Sequence, residues 1–156
     1  MNPFHELIEQ YLAGASLLRQ TVKGMTREQL LARPVPGKWS TLEVVAHLAD
    51  FEPIHASRMK YVIALERPLL IDADEQRFIS ELKYHDRDIN EELAIVESTR
   101  TQLARILKLL PAEAAQRPGI HSWRGLVTLT DLVGYAINHI PHHVKFIEEK
   151  RTALGL

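Results

Sequence analysis

No cysteine occurs among the 156 residues of this chain. That excludes a disulfide framework, a thiolate metal ligand and a cysteine nucleophile, so a side-chain metal site must use nitrogen and oxygen donors. Charge of neither sign is in excess. Nineteen Lys and Arg stand against twenty Asp and Glu, for a formal net charge of −1. A nucleic-acid binder normally carries a basic stripe, so nucleic acid is not an expected partner. Long apolar runs are missing too. Nothing approaches the roughly eighteen residues that a bilayer span requires, and the segment Met1 to Glu6 lacks the basic-then-apolar pattern of a signal peptide. The expectation is a soluble, cytoplasmic protein acting on a small molecule, with no membrane partner and a homodimer as the one assembly left open. The length suits one domain over 1–156 with a real core.

What is present is helical periodicity. Phe4, Leu7, Ile8, Tyr11, Leu12, Ala15, Leu18 and Val22 recur at steps of three and four, predicting a helix over about 3–24. Pro3 suits its first turn and Gly24 its end. A short helical turn at 26–30 and a Pro/Gly loop at 33–38 follow. Ser40 with Glu43 forms a capping box, flanked by Trp39 and Val44 as a hydrophobic staple, so a second long helix runs from Thr41 to about Leu65. Residues 68–74 read as extended or irregular and 75–82 as a short helix. A third long helix is expected over about 86–110, then a short turn from Pro111 and a loop over 116–125. Thr128 or Thr130 opens a fourth long helix reaching about Leu154. No segment reads convincingly as a strand. The fold class is therefore all-α, a four-helix bundle with a long crossover connection between its second and third long helices. So long a connection often carries function.

The fourth helix holds three of the chain's eight histidines within five positions, His139, His142 and His143. His139 and His143 are four apart, which places both imidazoles on one helix face beside Ala136, Ile140 and Ile147. Neutral imidazole is the commonest metal ligand. His142 is turned about 100° from His143 and reads as a group behind the ligands or one facing solvent. His47 lies among Val44, Leu48 and Phe51 on a core-facing helix and is the best third ligand. His55, about 12 Å further along the same helix, is too far to share its metal and reads as a surface or pocket-rim residue. His121, in a loop, is a candidate substrate contact. Three imidazoles leave open metal positions, the form of a catalytic site. Pro141 removes the hydrogen bond its N–H would give to Ile137. Arg100 interrupts the apolar stripe of the third helix. It reads either as a pocket-end group for a substrate carboxylate or as a side chain snorkelling to solvent beside Glu97. Asp50 and Glu52 read as solvated charges, and Trp39 and Trp123 as packing at the loop end of the bundle.

Gly37 to Asp50, with its Trp39-Ser40 helix start and His47 two turns in, and Thr128 to His143, with its H-x-x-x-H pair, together resemble the DinB/YfiT-like superfamily. Weaker echoes run through Pro68 to Tyr84 and Thr99-Arg100, so the resemblance spans nearly the whole chain. It implies a four-helix bundle with an inserted crossover and a triad of His47, His139 and His143 on a divalent ion, commonly zinc or nickel. Characterised members include transferases and isomerases that use low-molecular-weight thiols such as bacillithiol, mycothiol or glutathione. Pro141 departs from the residues commoner between the paired histidines. The leading expectation is a metal-dependent thiol S-transferase, with His142 and Arg100 as candidate catalytic residues. The lack of cysteine fits a nucleophile brought in as a cosubstrate. The alternatives are hydrolysis, with His142 or a carboxylate from 72–88 as base, and a non-catalytic metal- or ligand-binding bundle.

Overall fold

The computed structural model describes residues 4–156; Pro3, read above as part of a first turn, lies outside them. Four long helices dominate: α1 (His5–Val22), α3 (Thr41–Ala64), α5 (Ile89–Lys108) and α6 (Leu129–Ala153), with short α2 (Arg27–Leu31) and α4 (Glu75–Glu81) between them. Each of α1 and α3 packs against both α5 and α6, so consecutive long helices α1 and α3 lie diagonally across the bundle. The crossover from α3 to α5 carries α4 and a 3-10 turn at Tyr84–Asp86. Among the described residues no helix is long and apolar enough to cross a membrane.

The helix starts follow local chemistry. Ser40 Oγ accepts from the Glu43 N–H at 3.1 Å, and Glu43 Oε2 accepts from the Ser40 N–H at 2.7 Å. Thr128 and Asp131 repeat the box at the head of α6, which settles Thr128 over Thr130 as its cap. Such boxes satisfy two orphan N–H donors at once. Both histidine-bearing helices are thereby anchored about two to four turns before their ligands. α6 runs unbroken across Pro141.

The expectation of no strand is corrected. β1 (Leu69–Leu70) pairs in parallel with β2 (Pro118–His121), which pairs antiparallel with β3 (Gly125–Thr128). These strands are too short for a two-residue periodicity to register, and β1 finds its partner some fifty residues away. The short turn expected from Pro111 is a 3-10 turn (Ala112–Gln116), while the segment read as a loop over 116–125 enters a hairpin whose return is made by Gly125 at φ +76°. Gly119 lets β2 lie against the bundle, since a Cβ there would meet the side chains of Val62 and Leu70 within 3 Å.

The core is two apolar clusters with a polar layer between them. One contains Tyr11, Ala56, Leu103 and Ala136; the other contains Ala15, Ala49, Val96 and Ile140. On α3 and α5 the residues between those positions include Glu52 and Arg100, both 0 % exposed. Arg100 donates to the Tyr11 carbonyl (2.5 Å), Glu52 Oε2 (2.8 Å) and the Ala136 carbonyl (2.7 Å), while Tyr11 Oη donates to Glu52 Oε1 at 2.6 Å. Both sequence readings of Arg100 are overturned: it neither reaches solvent nor ends a substrate pocket, because protein acceptors on three helices claim its guanidinium. Glu52 is likewise no solvated charge. Asp50 is half-buried, with Arg87 forked onto its two oxygens at 2.7 and 2.9 Å. Gly14 of α1 makes room for the layer, since a Cβ there would collide with the Arg100 guanidinium.

Candidate metal centre

α3 and α6 pack so that His47, His139 and His143 converge, each offering a ring nitrogen, all within 4.8 Å of one another. Nε2 of His47 lies 3.1 Å from Nε2 of His139. Two nitrogens each about 2.0–2.1 Å from one ion, at tetrahedral or octahedral angles, stand about 2.9–3.4 Å apart, so this pair already has ligand spacing. The Nδ1 atoms of all three rings are buried without a protein partner. Burial, then the neighbouring His143 and His55, pushes His47 down to about 3. Burial, then His142 and Lys150, pushes His143 down to about 4, and burial carries His139 lower still. Three imidazoles held neutral at physiological pH are metal-ready donors, so the residues present fit a divalent ion.

The rings are packed from both sides. Trp39 lies 5.4 Å from His47 and stacks parallel to His143 at 6.4 Å, while Phe51 lies 4.4 Å from His47, all between ring centroids. Trp39 therefore packs against the triad as well as the loop. Trp123, by contrast, is 72 % exposed at the mouth of a cavity and is no packing residue. His142 is exposed on the outer side of His143, their ring centroids 5.1 Å apart.

Two cavities of about 420 Å³ each meet at the triad. The first is lined by His47 and His139 together with His55, Arg58, His121 and Arg124. The second is lined by His143 with Lys38, Trp39, His142 and Lys150. Glu75, at the head of α4, borders both, and its Oε2 lies 3.9 Å from Nε2 of His47. His55 is half-buried inside the first cavity, its ring centroid 5.1 Å from that of His139. His121 is not in a loop but ends β2, buried, with Nδ1 accepting from the Trp123 and Arg124 N–H groups.

Sequence reasoning missed Arg58, Arg124, Lys150 and the particular carboxylate Glu75. A signal existed for Arg58: His47, Phe51, His55 and Arg58 follow one another at steps of four, four and three, a single helix stripe. For Glu75 only the region 72–88 was indicated. Lys150 is buried on the α6 face one turn beyond Phe146, whose carbonyl its Nζ reaches at 2.9 Å.

A four-helix bundle with an inserted crossover and an open cluster of three inward imidazoles defines a class of metal-dependent helical proteins. The chain belongs to the DinB superfamily, whose family model matches residues 10–147. It is 29 % identical over 140 residues to the "putative metal-dependent hydrolase YfiT" of Bacillus subtilis, covering 88 % of this chain and 78 % of that one. A protein of the same designation from Oceanobacillus iheyensis, OB0782, is 28 % identical over 131 residues, covering 84 % and 76 % of the two chains. The solved structure of Bacillus subtilis YfiT, described as a "probable metal-dependent hydrolase with an unusual four-helix bundle topology", superposes with a TM-score of 0.87 at 28 % identity, over 96 % of this chain and 86 % of that one.

Proposed function

We propose that this chain is a metal-dependent enzyme in which His47, His139 and His143 hold one divalent ion, zinc or nickel, and that it transfers a low-molecular-weight thiol to an electrophilic small molecule. The observation that carries this reading is the pair of cavities meeting at the triad. A reaction between two organic substrates needs two binding spaces beside one reacting centre, whereas addition of water needs one. All-nitrogen donors suit borderline first-row ions. When bound, such an ion acidifies the nucleophile in its open position and stabilises the charge that develops there.

The chain's own groups have distinct tasks. Trp39 and Phe51 hold the rings and keep bulk water from their flanks. Glu75 Oε2, close to His47 but itself half in solvent, accepts the proton that the nucleophile loses and passes it to water. In thiol transfer the S–H proton goes to Glu75, the sulfur–carbon bond forms, and the leaving group departs with the electrons of the bond it breaks.

Hydrolysis is the second reading. Glu75 favours it, since a carboxylate beside the triad is what deprotonation of a water requires, and the printed designations of the relatives above point the same way.

Untagged protein is assayed for metal, then incubated with glutathione, bacillithiol and mycothiol and a chromogenic electrophile, beside an ester panel without thiol. The expected result is about one equivalent of metal, with thiol-dependent turnover abolished in His143→Ala. Loss of about 10²-fold or more is expected in Glu75→Gln for whichever reaction it serves. Turnover on the esters alone would replace transfer with hydrolysis. Protein without stoichiometric metal, and metal affinity unaltered in His47→Ala, would overturn the metal centre itself.

A further inference from the structure

We propose that the first cavity contains an oxyanion subsite, in which Arg58 and Arg124 grip a carboxylate or phosphate of the small molecule whose other end faces the triad. The orientation toward the triad rests on the function proposed above; the subsite itself does not.

Two guanidiniums and two imidazoles from three elements converge here: His55 and Arg58 from α3, His121 from the end of β2, and Arg124 from the hairpin turn. Their closeness registers at His121. Burial, then Arg58 and Arg124 against the opposing pull of Asp72, lowers His121. Three carboxylates line the same cavity but are placed unequally about this cluster. Asp72 alone faces it, 3.4 Å from Arg58 Nη2 and 3.9 Å from His121 Nε2. Asp74 is committed to capping α4, its Oδ1 accepting from Gln76 and Arg77. Glu75 stands at the triad end.

Neither arginine is saturated by the protein. Arg58 is 7 % exposed; its Nη2 donates to the Ile71 carbonyl at 2.6 Å, but its Nε is buried without a partner. Among the described residues its Nη1 makes no hydrogen bond. Arg124 lies over the rings of Trp123 (4.8 Å) and Tyr135 (4.4 Å), and no carboxylate of the described residues engages it. Stacking holds a guanidinium plane in place while its edge donors remain free. A buried guanidinium with donors to spare is costly, and an oxyanion satisfies it through short charge-assisted bonds. The cavity volume suits a small molecule. Within the same cavity the His55 ring centroid lies 5.1 Å from that of His139, so the space beside the arginines borders the triad.

The test titrates the whole chain, as purified and after chelation, with succinate, inorganic phosphate and uncharged succinamide, read by calorimetry and tryptophan fluorescence. Saturable binding of at least one oxyanion, none of succinamide, and no loss in His143→Ala are expected. Arg124→Met should weaken binding about tenfold or more, as should Arg58→Lys, which keeps the charge but not the fork. The preferred oxyanion identifies the group as carboxylate or phosphate. No saturable oxyanion binding, equal binding of succinamide, full affinity in Arg124→Met, or loss confined to His143→Ala would each overturn the subsite. Arg124 is exposed, so its variant decides even where an Arg58 variant fails to fold. Because the chelated protein is titrated too, absence of metal or turnover would sink the proposed function while leaving this result readable.

Discussion

Arg100 and Glu52 illustrate how one side chain's meaning depends on what reaches it. Each carries a full charge into a site with no solvent contact, and each survives there because the other, together with Tyr11 and two backbone carbonyls, fills most of its bonding positions. Removing one member strands the other. Arg100→Met should therefore cost about 3–5 kcal/mol, read as a lowered urea midpoint, because an uncompensated carboxylate remains buried. A loss under about 1 kcal/mol would mean that water reaches the layer. From sequence, Arg100 registered only as an interruption of an apolar stripe, and Glu52 as a solvated charge. An isolated charged residue on a helix gives no sign of a partner 48 positions away.

Among the elements, α3 and α6 carry the candidate site, and both begin with a capping box. The box on α3 is reinforced from outside, since Arg33 pairs with Glu43 and His85 lies 3.5 Å from it. Burial raises the pKa of Glu43, but the Ser40 N–H and Arg33 outweigh it and hold the carboxyl below its ordinary value. Ser40→Ala should cost about 1 kcal/mol, lowering Tm by about 2–4 °C for a chain of this size. It should also weaken metal binding at His47, two turns on, and calorimetric titration of zinc into wild type and variant checks both effects. Unchanged zinc affinity with the expected loss in Tm would mean that packing by Trp39 and Phe51 alone positions His47. The elements absent from the sequence reading are those without local periodicity. β1, β2 and β3 exist through hydrogen bonds that tie the crossover to the hairpin, as where the Ile120 N–H meets the Pro68 carbonyl at 2.9 Å.

For the molecule as a whole, the clustered histidines make metal-free stability depend on pH. Above about 6.5 the imidazoles are neutral in both folded and unfolded chains and contribute no slope. Below it the unfolded chain takes up protons that buried His47, His55, His139 and His143 refuse, so stability falls as the pH drops toward about 3. Denaturant midpoints of the chelated protein should be clearly lower at pH 5 than at pH 7.5. Added zinc should raise the midpoint at pH 7.5 and do so less at pH 5, where protons compete for the same nitrogens. A midpoint that does not move with pH would contradict the buried, neutral cluster.

The four long helices, their two capping boxes and the His139–His143 pair were legible in the chain because each is written within a few consecutive turns. Apolar spacing, cap chemistry and a four-residue step act locally and need no knowledge of neighbours. The three-strand sheet, the buried Glu52–Arg100 layer, the paired cavities, and the placing of Arg58 and Arg124 around one of them were not. Each depends on how helices rotate against one another and on which distant group meets a given charge. The closing of the triad lies between the two. His47 is marked by its own helix as facing the core, but its approach to His139 across 92 residues exists only once α3 and α6 pack.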